Sequence, residues 1–208
     1  MAGHARTIIV FCKQAVPGQV KTRIATKIGD TEAARLAEEL AHRTIRECVR
    51  AELVDVEVWQ TPDLDDRFAL PGVSDVRLQC TGDLGQRMQH ALEQSMDGNR
   101  SVVLVGTDCP GIDARYLNEA FKQLDAMEAV IGPAEDGGFG LIGLTEVRKD
   151  LLSDIRWSQP EVFEAVSHRL AVAYSQWARL PLLWDVDRPE DLLRYRSIYG
   201  AASGRAGP

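Results

Sequence analysis

Apolar residues in this chain fall into two patterns. Short unbroken runs rich in Val, Ile and Leu are the signature of strands covered on both faces. Longer stretches, in which apolar residues recur every three or four positions, are the signature of helices packed along one side. Thr7 to Cys12 is the first run. Asp30 or Thr31 can cap a helix reaching about Ala51, with Ala37, Leu40, Ala41, Thr44, Ile45 and Cys48 as its buried stripe. Val54 to Gln60 alternates as a second strand, and the turn-rich "TPDLDDRFALPG" after it reads as an exposed loop. A short strand near Val76 to Gln79 leads into a helix from about Leu84. "SVVLVG" (Ser101 to Gly106) is the clearest buried strand, followed by a helix with Asp113 as its cap. "AVIGPAEDGGFGLIGL" gives two strands around a glycine turn. Pro160 suits the first turn of a helix reaching about Leu170. "LPLLWDVD" reads as a last strand and "RPEDLLRYRSIYG" as a last helix.

This alternation predicts an α/β fold: one mostly parallel sheet with helices on both faces. Such sheets bind ligands beyond the carboxyl ends of their strands. The unusual residues stand in those loops. "AVPGQVKTRIATKIGD" follows the first strand, "GTDCPG" follows "SVVLV", "EDGG" follows "AVIGPA", and "DVD" follows "LPLLW".

Composition narrows the picture. With 208 residues, 45% of them hydrophobic, the chain suits one domain over residues 1–200 and a small polar tail over 201–208. The net charge of −7 argues against a nucleic-acid binder. No apolar stretch approaches the roughly 20 residues of a membrane span. "MAGHART" lacks the apolar core of a signal peptide, so a cytoplasmic protein is expected. The four cysteines are scattered, as reduced thiols would be, and the four histidines form no cluster.

Against this acidic background the basic turn stands out. Gly18, Lys21, Thr22 and Arg23 supply the permissive backbone and cations that a phosphate group needs. A P-loop is excluded, because Val20 precedes Lys21 where that motif demands glycine. A solvated surface loop is the plain alternative. Asp108 and Asp187, at the ends of apolar runs, are candidate ligands for Mg²⁺ or Mn²⁺, which prefer oxygen donors and bridge to substrate phosphates. Each also has a structural reading, Asp108 as a turn residue and Asp187 as a helix cap. Gly137 and Gly138 would let backbone approach a ligand, with Asp136 orienting an acceptor hydroxyl or amine; a plain tight turn is the alternative. Asp83 and Arg87 in "GDLGQRM" are candidates for contact with a base or ribose, or else a helix cap and a surface arginine. Trp157 is a candidate for the acceptor pocket or for packing alone.

Taken in order, "VFCKQAVPGQVKTRIATKIG", "GDLGQRM", "VVLVGTDCPGI", "IGPAEDGGFGLIGL", "IRWSQPEVF" and "DVDRPEDL" resemble a bacterial group of GT-A-type proteins. That group is carried as glycosyltransferases of the nucleotide-diphospho-sugar transferase superfamily, and the resemblance covers about Ile8 to Tyr195. The "KTR" turn is similar to that of phospholactate guanylyltransferase, and "DVDRPEDL" to the ending of molybdopterin guanylyltransferases. The resemblance implies a Rossmann-like GT-A fold, a nucleotide at the N-terminal half of the sheet, and a divalent metal. It matches Asp108 to the metal-holding aspartate of the Asp-x-Asp motif, although only one acid stands here. It matches Asp187 to a second ligand, and Lys13, Lys21 and Arg23 to the phosphate-binding positions. Phe139-Gly140 departs from the aromatic pair common in relatives, which alters the acceptor pocket.

The implied activity is a metal-dependent transferase with a nucleoside triphosphate or nucleotide-sugar as donor and a small molecule as acceptor. Glycosyl and nucleotidyl transfer both fit. A nucleotide-binding sensor without turnover is the reading from a different class.

Overall fold

The protein is described by a computed structural model over residues 6–51, 54–96 and 101–200. The predicted tail, 201–208, lies outside the described residues. Seven strands form one sheet in the order β3-β2-β1-β4-β6-β5-β7. They are β1 (Arg6–Lys13), β2 (Val54–Thr61), β3 (Asp75–Leu78), β4 (Ser101–Gly106), β5 (Ala129–Pro133), β6 (Phe139–Leu144) and β7 (Trp177–Arg179). β1 pairs in parallel with both β2 and β4, β2 with β3, and β5 with β7, whereas β6 runs antiparallel to β4 and β5. The sheet is therefore mixed, with one reversed strand. That reversal brings the loop between β5 and β6 to the same edge as the carboxyl ends of the parallel strands.

The helices are α1 (Thr22–Ile28), α2 (Asp30–Arg50), α3 (Leu84–Ser95), α4 (Ala114–Leu124), α5 (Val162–Ala173) and α6 (Pro189–Tyr199). The unbroken run of β1 divides by parity, because side chains alternate across a strand. Ile8, Val10 and Cys12 join a core with Ile45 of α2 and Phe121 of α4. Ile9 joins the opposite core with Leu92 of α3 and Val166 and Leu170 of α5. Both faces are covered, which is why β1 and β4 carry no polar alternation. A third, smaller cluster joins Ile24 of α1, Leu36 and Leu40 of α2, and Val186, Leu192 and Tyr195 around α6.

Several elements depart from the sequence pattern. The second half of the basic turn is helical, as α1. In α2 the buried stripe includes Ala33, Ala34 and Leu36, while Ala37 is only partly buried. The "TPDLDDRFALPG" loop is not simply exposed: a single 3-10 turn at Asp66–Phe68 drives Phe68 fully into the core, with the His42 ring edge-on against it. α5 begins at Val162, so Pro160 precedes the helix rather than lying in its first turn. "LPLLWDVD" is not a strand. The edge strand is β7, and the chain after it makes one isolated bridge, Leu183 to Ala134. Pro181 has no N–H to continue a ladder, so pairing resumes only where the Leu183 N–H donates to the Pro133 carbonyl at 2.8 Å.

Candidate active site at the carboxyl edge of the sheet

The loop after β1 turns at Gly18, whose φ is +77°. It enters α1 through Lys21, which itself holds a left-handed backbone (φ +48°), an uncommon state for a side chain of this kind. This turn sends Lys21 inward. Its side chain is only 5% exposed, and its Nζ lies 2.6 Å from Asp108 Oδ1 and donates to the Val186 carbonyl at 2.6 Å. The Val186 N–H donates in turn to the Asp108 carbonyl at 2.9 Å. Lys21 thus fastens the end of β4 to the chain before α6, and the buried Val186 side chain anchors that chain beside Ile24.

Burying Val186 turns Asp185 and Asp187 the other way. Asp187 pairs with Arg23 of α1. It does not cap α6: Asp191 does, taking the backbone N–H groups of Asp187 and Arg188 on its carboxylate. Lys13 Nζ donates to the Gln19 carbonyl within its own loop at 2.8 Å. Thr22, exposed, opens α1.

The turn between β5 and β6 is closed by the Ala134 N–H on the Gly138 carbonyl and by the Gly138 N–H on Asp136 Oδ1 at 2.8 Å. Gly137 has φ +85°, and a Cβ there would stand 2.1 Å from the Pro160 carbonyl oxygen. Its close approach is therefore to the chain leading into α5, whose Phe163 N–H donates to its carbonyl, and not to open space. Gly138 has no such restriction; its nearest neighbour is Asp136.

The carboxylates of this region feel one another. Burial, followed by the charges of Asp136, Asp187 and Asp191, pushes the Asp185 carboxyl up to about 6. Burial pushes the Cys109 thiol up as well, with the charges of Asp108, Asp185 and Asp136 adding to the effect and Lys21 opposing it. Cys109 is thus a buried thiol, kept protonated beside these carboxylates. As oxygen donors, Asp108 and Asp187 suit a hard divalent cation, which is commonly held by one or two carboxylates and completed by substrate phosphates. Each carboxylate leaves one oxygen beyond its ion pair. Among the described residues no three His, Cys, Asp or Glu side chains stand together as a complete metal-binding group.

At the other end of the same edge, Asp83 caps α3 in a reciprocal box with Gln86. Arg87, one turn later, is half-buried, and its Nη1 donates to Gln79 Oε1 at 2.7 Å. Gln79 is a residue that sequence reasoning missed: a single polar side chain ending a short strand carries no local signal. Trp157 packs against Gly85 and edge-on to Phe139, with its Nε1 buried and lacking a hydrogen-bond partner. Two cavities of about 430 and 460 Å³ both have Arg35 of α2 in their walls, and neither includes Lys21, Asp108, Asp136 or Asp187. The candidate site is the open edge rather than either cavity.

A family profile described as "Uncharacterized protein conserved in bacteria (DUF2064)" matches residues 44–159. No curated protein matches the chain. A solved structure of a provisionally named nucleotide-diphospho-sugar transferase from Desulfovibrio desulfuricans G20 is similar with a TM-score of 0.85 and 29% identity, covering 97% of this chain and 91% of that one. A cytidylyltransferase from Leptospira borgpetersenii is similar with a TM-score of 0.64 and 15% identity, over 96% of this chain and 88% of that one. A Mycobacterium tuberculosis protein crystallised with manganese follows with a TM-score of 0.55 and 15% identity, over 93% and 98%. The last two likenesses are of fold. The mixed seven-stranded sheet is the nucleotide-diphospho-sugar transferase fold.

Proposed function

The chain belongs to the bacterial family DUF2064, whose profile spans residues 44–159, and from that premise we propose that it is a metal-dependent transferase using a nucleotide donor. It passes a glycosyl or nucleotidyl group to a small acceptor. The observation that carries this reading is the meeting, on one sheet edge, of cations from the β1 loop with Asp108, Asp136, Asp185 and Asp187 from three later loops. The likeness to the Desulfovibrio transferase supports it.

In this reading Lys13 and Arg23 face the donor phosphates and Lys21 braces Asp108 beneath them, with Gly18 and Thr22 shaping the backbone around them. Asp108 and Asp187 hold Mg²⁺ or Mn²⁺, and that cation supplies charge neutralisation on the leaving phosphates. The turn of Asp136, Gly137 and Gly138 borders the acceptor, where Asp136 orients the attacking hydroxyl or amine. In nucleotidyl transfer an acceptor phosphate oxygen bonds to the α-phosphorus and pyrophosphate departs. In glycosyl transfer the acceptor bonds to the anomeric carbon and the nucleoside diphosphate departs. Both reactions depend on positioning and charge stabilisation, which a rigid sheet edge provides.

The test is a panel of nucleoside triphosphates and nucleotide-sugars, scored by thermal shift and calorimetry with Mn²⁺ or with EDTA. Phosphorus NMR on binders separates pyrophosphate release from nucleoside diphosphate release. Saturable, Mn²⁺-dependent binding is expected. Binding with no product from any acceptor would favour the sensor, and binding unaffected by EDTA would remove Asp108 and Asp187 as metal ligands.

A further inference from the structure

Among the described residues of this edge, Lys13 and Arg87 meet neutral partners rather than carboxylates, and Arg87 is also fixed in orientation from below. Gln79 is only 6% exposed. Its Nε2 donates to two backbone carbonyls, Cys12 of β1 at 3.0 Å and Trp59 of β2 at 2.9 Å. Because both partners are acceptors, the atom facing them must be the amide nitrogen, and this fixes which way the amide points. Its oxygen therefore faces the other way, onto Arg87 Nη1 at 2.7 Å. A glutamate of the same size would set a carboxylate against two carbonyls, and an apolar side chain would leave both carbonyls and the arginine without this partner.

Arg87 also sends Nε towards the Asp83 carbonyl, at a long 3.4 Å. Neither partner is charged. Lys21 and Arg23 stand on carboxylates, but Arg87 has no carboxylate partner among the described residues. A guanidinium carries five N–H donors, so donors remain beyond these two contacts. A planar, charged fork locked by a neutral amide, at the carboxyl edge of β1 and β2, is suited to an anionic oxygen ligand.

We propose that Gln79 is a positioning residue whose buried amide aims Arg87 at the phosphate-bearing donor, so that Arg87 is a principal anion contact of the edge. The inference rests on the nucleotide reading above and adds a residue and a division of labour that this reading lacks.

The experiment measures affinity for each of the four ribonucleoside triphosphates with Mn²⁺, alongside thermal unfolding, for wild type, Gln79→Met, Arg87→Ala and the double variant. Arg87→Ala is expected to weaken binding by about tenfold to a hundredfold, and Gln79→Met by about tenfold. In the Arg87→Ala background Gln79→Met should cost no further affinity, while still lowering the melting temperature. Arg87→Lys supplies a second line that does not disturb Gln79: it keeps the charge and loses the locked fork, and should bind within about threefold of Arg87→Ala. Wild-type affinity in folded Gln79→Met, a Gln79 effect equally large with and without Arg87, or full affinity in Arg87→Lys would each overturn the positioning role. If wild type binds none of the four triphosphates, the same variants are measured against the nucleotide-sugars of the panel above; if it binds none of those either while the variants fold, the nucleotide reading itself fails and takes this inference with it.

Discussion

The turn after β1 and the turn after β3 both bring a cation to the carboxyl edge, and they treat it oppositely. Lys21 is drawn under the surface onto Asp108 and the Val186 carbonyl, joining segments 165 residues apart in sequence. Arg87 is held by the neutral amide of Gln79, which fixes its direction and leaves its charge. The first arrangement makes a cation into a fastener; the second keeps one available. A basic cluster in an acidic chain therefore does not by itself mark where an anion binds. What matters is whether the partner beneath each cation is a carboxylate or a dipole.

The comparison breaks most severely at the glycines of the two turns. Gly85, in the first turn of α3, has no room for a side chain: a Cβ would stand 2.2 Å from the Leu152 carbonyl oxygen and 2.8 Å from the Trp157 ring. Gly85→Ala must shift the start of α3, and Arg87 with it, at a cost of about 3 kcal/mol. Gly18, in the turn after β1, has open space, with Asp30 no nearer than 3.8 Å, but a φ of +77°. Gly18→Ala should cost only about 1–2 kcal/mol, through backbone strain alone. Chemical denaturation of the two variants checks the order. Equal losses would mean that the start of α3 repacks freely, and Arg87 would then not be rigidly placed.

The next effect concerns the two cations of the first turn. Lys21→Met removes a buried donor from the Val186 carbonyl and should destabilise the protein by about 1–3 kcal/mol, even though Asp108, 62% exposed, is easily solvated. Arg23→Met removes an exposed pair with Asp187 and should change stability by about 0–1 kcal/mol, less at high salt. Thermal unfolding at low and high salt separates them. If Lys21→Met proves neutral, the fastener role is wrong and Lys21 returns to the pool of available cations.

A pH-dependent effect lies in the acidic loop that faces the first turn. The Asp185 carboxyl is raised from an ordinary 3.8 to about 6 in the folded chain, by burial first and then by Asp136, Asp187 and Asp191. Between about pH 4 and pH 6 the native state keeps a proton that the unfolded chain has lost. The contribution of this group to stability thus falls as pH rises through that window and is level above it. Asp185→Asn should be more stable than wild type at pH 7.5, with the advantage vanishing near pH 4. An advantage that grows on acidification would have the wrong sign and would disprove the crowding of these carboxylates.

Much of this molecule was legible in its sequence, because the signals are local. The runs at Thr7–Cys12 and Ser101–Gly106 are apolar without alternation because helices cover both faces, and a strand in that setting has no other way to read. The loop carrying Asp108 follows Ser101–Gly106 directly, so its place at the edge follows from parallel pairing with β1; Asp136 lies in the turn between β5 and the reversed β6, and Asp187 in a segment that is not a strand. The cap at Asp83 also reads locally, since its partner Gln86 is three residues away. Tertiary structure decided the rest. The left-handed backbone of Lys21 turns its side chain inward, where Asp108 from β4 and Val186 from the last loop meet it. Gly137 is needed because the Pro160 carbonyl passes beside it, and Phe68 leaves its polar loop because the core beneath has room for its ring. Gln79 matters because three acceptors and donors from β1, β2 and α3 converge on one amide. Sequence determines which residues carry charge and which strands are buried. Whether a charge is neutralised depends on distances between residues far apart in the chain, and only the folded sheet sets those.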